Sequence, residues 1–139
     1  MMPTIGLEIT SVNAKREEEI GKELKIDHFQ KIKDVKKKSI DALGKEVLEI
    51  LFEYKCTYEN STTKKNVGKI EFEGKLFYFT ENVEEPLKDW KKNKRLPNNI
   101  TIDIFNRITR TCLTKAIGLA EDLRLPPPIR FPTVRIKRS

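Results

Sequence analysis

The chain is poor in the residues that most enzyme chemistry needs. It has one histidine, His28, and two cysteines, Cys56 and Cys112. Nucleophilic catalysis requires a serine or cysteine activated by a base, and no such residue is placed beside His28 in the sequence. Neither cysteine has a second Cys or His at ligand spacing, which argues against a zinc site. The six glycines stand scattered, with no GxGxxG and no P-loop, so the common phosphate-cradling loops are missing. No apolar run approaches the ~20 residues of a membrane helix. The opening MMPTIGLEIT has neither the charged region nor the apolar region of a signal peptide. These absences predict a cytoplasmic protein that does not insert into membranes, is not an enzyme, and uses no metal or cofactor. In such a compartment Cys56 and Cys112 read as buried thiols. The Asn-x-Thr triplets at Asn60 and Asn99 read as chance matches to a glycosylation signal.

What is present is charge and pattern. Of 139 residues, 37% are hydrophobic and 35% charged, and 28 Lys+Arg against 21 Asp+Glu leave a net charge of +7. That length suits one domain with a real core. The apolar residues come in periodic blocks, which separates the chain from disordered, charge-rich sequences.

Residues 1–80 read mainly as strands. In TIGLEITSV, Ile5, Leu7 and Ile9 alternate and the pattern then steps to Val12. In KELKIDHFQKIKDVKKKSI, Leu24, Ile26 and His28 alternate before a slip to Phe29, Ile32 and Val35. Its irregularity and its lysines predict a bulged or edge strand. VLEILFEYKCTYE carries the clearest signal. Leu48, Ile50, Phe52, Tyr54, Cys56 and Tyr58 fall on one parity, with Glu49, Glu53, Lys55 and Thr57 on the other. After the polar loop ENSTTKKNV, Ile70, Phe72, Leu76 and Tyr78 alternate with Lys69, Glu71, Glu73 and Lys75. Glu71 and Glu73 thus lie on a wet face among lysines, a poor setting for an acid–base pair. Gly74 in mid-strand marks a bulge or a close approach by something large. Without helices between the strands, the sheet should be antiparallel.

The period then changes. ENVEEPLKDWKKNKR predicts a short helix over 82–94, with Asn82 as N-cap, acids in its first turn and lysines in its last. Trp90 on that helix reads as its anchor to the sheet. LPNN breaks the chain, and 99–124 follows a helical period. Its apolar arc, which includes Ile104, Ile108, Cys112 and Leu119, spans roughly 180°, more than the ~100° one surface covers. That width predicts a second helix partner from another copy, with Ile104, Ile108, Cys112 and Leu119 at the oligomer interface. Residues 125–139 are Pro-rich and extended.

Two surfaces stand out as binding candidates. Phe77 and Phe79 have the parity opposite to Ile70, Phe72, Leu76 and Tyr78, so they place aromatics on the polar face, where apolar surface marks binding. The basic cluster Lys91, Lys92, Lys94 and Arg95, beside Trp90, is the candidate for nucleic acid, phosphates meeting the cations and a base stacking on the indole. No RRM, KH or helix-turn-helix signature accompanies it.

The order of elements resembles a known family. About four antiparallel strands lead to LPNNI, then to a long helix carrying FNRITRTCLTKAIGLA, then to LPPPIRFP. This resembles the SecB family of export chaperones, and more closely its archaeal SecB-like branch. The likeness covers most of the chain, and the junction of helix and prolines is its most specific part. It implies an α+β fold in which an antiparallel sheet of about four strands carries a short helix and one long helix on one face. It implies dimers or tetramers joined through the long helices, and a groove for unfolded or extended polypeptide. On this chain the implied groove residues are Pro127, Pro128, Ile129, Phe131 and Val134; Phe77 and Phe79 come from parity alone. Two features differ from bacterial SecB, which has a second helix after its Pro-rich stretch and an acidic surface for its motor ATPase. RNA or DNA binding through the basic clusters is the alternative function.

Overall fold

A computed structural model of the chain describes residues 4–40 and 44–129. The strands are β1 (Thr4–Arg16), β2 (Leu24–Ile40), β3 (Lys45–Asn60) and β4 (Asn66–Tyr78). Two helices follow, α1 (Glu84–Asn93) and α2 (Asn98–Asp122). The strands form a single four-stranded sheet, wholly antiparallel, in the order β1-β4-β3-β2. The fold is therefore α+β, as the alternation and the later helical period predict. No helix among the described residues is long and apolar enough to cross a membrane.

One face of the sheet builds the core. Leu48, Ile50, Phe52, Tyr54, Cys56 and Tyr58 of β3, with Ile70, Phe72, Leu76 and Tyr78 of β4, are all buried. This is the parity expected from period two. Against them α2 lays Ile100, Ile104, Ile108, Cys112, Ala116 and Ala120. Strict four-residue spacing overshoots a 3.6-residue turn by about 40° per step, so the buried line winds around the helix. A flat surface could not follow it; a twisted sheet can. The side chains along the line also shrink from isoleucine to alanine, which lets the end of α2 approach the tyrosine-rich part of the sheet.

Two mid-strand bulges shape the register. Lys33 is the extra residue of β2, between the pairs Ile32–Phe52 and Asp34–Leu51. The slip in the apolar pattern thus falls at Lys33. Ile32 and Val35 reach the core, but Phe29 points to the other face and is 50% exposed. In β1 the extra residue is Thr10, between the pairs Ile9–Gly74 and Ser11–Glu73, so the bulge sits where the mid-strand glycine foretold one. Thr10 Oγ1 donates to the Glu73 carbonyl at 3.2 Å. A Cβ on Gly74 would stand 2.3 Å from the Glu8 carbonyl oxygen and 2.9 Å from Phe52 Cζ.

The helix ends differ slightly from expectation. Val83 occupies the N-cap position of α1, and the Asn82 side chain instead accepts the Glu84 backbone N–H at 3.1 Å. Lys37 joins this end to the sheet, 2.9 Å from Glu84 and 3.3 Å from Glu46. The prolines do not stop α2. Arg124 does, at φ 54°, with its N–H on the Glu121 carbonyl (3.1 Å) and the Leu125 N–H on that of Ala120 (2.8 Å). That is a Schellman closure with arginine in the place glycine usually takes. Arg16 then donates to the carbonyls of Leu123 (3.1 Å) and Arg124 (3.3 Å), satisfying the helix end with a cation.

Candidate functional site

The Pro-rich strap leaves α2 across the core face of the sheet. Proline has no N–H, so such a segment is held by its carbonyls and by packing. Tyr58 Oη donates to the Pro126 carbonyl at 2.7 Å. His28 Nε2 lies 2.8 Å from the Pro128 carbonyl, and Nδ1 lies 2.9 Å from Tyr54 Oη. A carbonyl only accepts, so Nε2 carries the proton; in the neutral ring Nδ1 then accepts from the Tyr54 hydroxyl. Burial pushes both phenols above the ordinary tyrosine range, which keeps them protonated as donors. Leu125 and Pro128 are buried, Ile129 is half-buried, and Pro126 and Pro127 are exposed. A Cβ on Gly68 would stand 3.2 Å from Leu125 Cδ1, so glycine there makes room for the strap. As far as Ile129, the strap therefore closes the core, and of the expected groove residues Pro127 is the open one. Phe131 and Val134 lie outside the described residues.

His28, Tyr54 and Tyr58 form a unit that the sequence did not announce. The tyrosines have core parity. Nothing local shows that Tyr54 meets His28, or that Tyr58 lies under a proline 68 residues later. The one available signal was the presence of a histidine and two tyrosines at apolar positions, since buried polar tips need partners.

The opposite face of the sheet is mixed. Lys55 lies between Glu53 (3.9 Å) and Glu71 (3.8 Å), and Lys69 is 3.3 Å from Glu71. Within this charged surface Phe77 and Phe79 are half-buried, and Lys38 Nζ sits 5.2 Å above the Phe77 ring. Phe79 lines a small open cavity of about 360 Å³ with Glu46, Thr80, Glu81 and Val83. Phe77 and the strap thus belong to opposite faces of the sheet and do not form one continuous groove within the chain.

The expected oligomer interface needs correction. Ile104, Ile108 and Cys112 are fully buried against this chain's own sheet, so they are spent on the core. Leu119 is partly buried against the same core. Burial pushes the Cys112 thiol up to about 12 and the Cys56 thiol up to about 11. The apolar α2 side chains outside the core are Ile102, Leu113 and Ile117. They lie on one flank, and Ile102 is 58% exposed. The wide arc in the sequence is therefore mostly spent internally: Ile102 is its exposed part, Leu113 is half-buried, and the half-buried Ile117 lies just beyond it.

The basic residues Lys91, Lys92, Lys94 and Arg95 are all exposed at the end of α1. Trp90 is buried, 7% exposed, with Lys94 Nζ 5.7 Å from its ring centre. It anchors α1 and offers little free ring to a base.

No protein-family model matches the sequence, and no curated protein is similar to it at a significant level. Solved structures do match the fold. One is the SecB-like chaperone Rv1957 of Mycobacterium tuberculosis, in complex with a ChAD peptide from the Rv1956 HigA1 antitoxin. The match covers 97% of this chain and 91% of that one, with a TM-score of 0.53 and 13% identity. The fold is SecB-like. At that identity the likeness concerns architecture alone, and it extends over nearly the whole chain.

Proposed function

We propose that this SecB-like protein is a non-catalytic, chaperone-like binder of unfolded or extended polypeptides, working without a cofactor in the cytoplasm. The observation that carries the reading is the architecture shared over 97% of the chain with a SecB-like chaperone that was solved holding a peptide. The chain's own surfaces support it. Among the described residues both β1 and β2 are edge strands, with main-chain groups facing outward for an added strand. Phe77 and Phe79 put aromatic surface on an otherwise charged face, and Phe29 is 50% exposed. An oligomer built through Ile102, Leu113 and Ile117 belongs to the proposal. Delivery of clients for export is its narrower form, as is kinship with the archaeal branch.

The test is aggregation of a chemically unfolded client, followed by light scattering. The protein should slow aggregation at near-equimolar ratio, with little dependence on salt. Phe77→Ser with Phe79→Ser should reduce the effect while leaving the circular dichroism unchanged. No protection by the wild-type protein defeats the proposal. The nucleic-acid alternative keeps the exposed Lys91, Lys92, Lys94 and Arg95 but loses Trp90 as a stacking platform. It predicts binding that collapses between low and moderate salt.

A further inference from the structure

A second surface lies apart from the strap and from Phe77. Between β2, the end of α1 and the start of α2 runs an open groove of about 630 Å³. Gln30, Lys31, Lys33, Trp90, Lys94 and Arg95 are among the residues that line it, and no carboxylate among the described residues does. Lys33 is engaged with Glu73 at 3.1 Å. Lys31 shares the parity of Phe29 and stands opposite Glu53, so its ammonium belongs to the other face. Among the described residues, Lys94 and Arg95 form no ion pair, so the groove holds two cations without a carboxylate partner.

Its wall also carries unpaired polar atoms. The Trp90 indole N–H is buried without a hydrogen-bond partner, in a side chain only 7% exposed. Gln30 donates its amide to Thr109 Oγ1, and its Oε1 is likewise buried and unpartnered. Buried polar atoms are normally satisfied, so a donor and an acceptor left open beside one groove point to a ligand that supplies both. A peptide main chain does so at each residue. The groove also follows β2 at Gln30–Lys33, the last strand of the sheet, where an extended segment finds an edge.

We propose that this groove is a docking site for an acidic, extended polypeptide segment. Main-chain groups would meet the β2 edge, Trp90 and Gln30, and carboxylates would meet Lys94 and Arg95. The cations favour acidic side chains over neutral or basic ones. The burial of Trp90 beneath Lys94 favours a peptide over a nucleic acid, which needs an open ring face. The site goes beyond the general client binding proposed above and does not depend on it.

Trp90 is the single tryptophan, so its emission reports on the groove directly. The experiment is a fluorescence titration with three probes: a short peptide alternating glutamate and valine, the same peptide with lysine for glutamate, and oligouridylate. The acidic peptide should shift Trp90 emission saturably, and the lysine peptide should not. Lys94→Asp with Arg95→Glu should weaken binding by about tenfold or more, as loss of facing charges does. Aspartate suits the left-handed backbone at position 94, and both side chains are exposed, so the fold should survive; circular dichroism checks it. Equal binding of both peptides, no effect of the charge reversal, or a response to oligouridylate alone overturns the proposal. Aggregation of an unfolded client, measured on the same variant, should be slowed as by the wild type, which separates this site from the general one.

Discussion

Gly74→Ala probes a close approach of β1 to β4. The new Cβ would stand 2.3 Å from the Glu8 carbonyl oxygen of β1 and within 3.0 Å of the Phe52 ring. Ordinary contact between non-bonded heavy atoms is about 3.5 Å, so β1 and β4 must part by about 1 Å. Their ladder hydrogen bonds hold them ~4.8 Å apart, and Phe52 is fully buried with no space to retreat. Overpacking of this kind costs about 1–3 kcal/mol. Replacing a strand glycine returns about 0.5–1 kcal/mol of backbone entropy. The net loss should be about 1–2 kcal/mol. With a urea slope of about 2 kcal/mol/M, the unfolding midpoint falls by roughly 0.5–1 M at fixed protein concentration. Amide exchange should quicken first in β1, the strand pushed away. Gly118→Ala is the counter-experiment: nothing stands within 4 Å of the new Cβ on α2, and stability should rise by up to about 1 kcal/mol of helix propensity. An unchanged or raised midpoint for Gly74→Ala would refute the packing argument.

The strap should respond to its two anchors unequally. Tyr58→Phe removes one hydrogen bond, about 1 kcal/mol, whereas His28→Ala also strands the buried Tyr54 hydroxyl, costing about 1–3 kcal/mol; thermal unfolding orders the two, and equal losses would contradict it. Stability should fall in alkali. Cys56 is raised to about 11, and Cys112 and Tyr78 to about 12, chiefly by burial, so the neutral forms are the ones the fold holds. Their contribution is complete below the unfolded thiol value, about 8.5, and is lost as pH rises through 11 to 12. A midpoint that stays flat from pH 8.5 to 11 would count against it. On α2, Leu113→Asp with Ile117→Asp should yield folded monomers by light scattering if copies join on that flank, while Ile108→Ala should cost about 2–5 kcal/mol of fold stability. A wild-type protein that is already monomeric at micromolar concentration removes the basis for that flank as an interface.

Local pattern decided the elements and their faces. Period two in 47–59 and 69–78 dictated which side of each strand is buried, because alternate side chains must point to opposite faces. The change to a 3.6 period announced the helices, and Gly74 announced its own crowding. The pattern could not say which strands are neighbours. β1 pairs with β4 and leaves β2 at the far edge, a choice made by long-range pairing that no local pattern encodes. Nor could a helical arc show where it divides: Ile104, Ile108 and Cys112 share a wide apolar arc with Ile102 and Leu113, and only docking against a twisted sheet decides which are spent inside. The same holds for His28, Tyr54 and Tyr58, whose polar tips acquire meaning only when α2 carries three prolines back over them. Hydrogen bonds between residues 68 to 100 positions apart are properties of the folded chain, because they exist only after the sheet and helix have fixed where both partners lie.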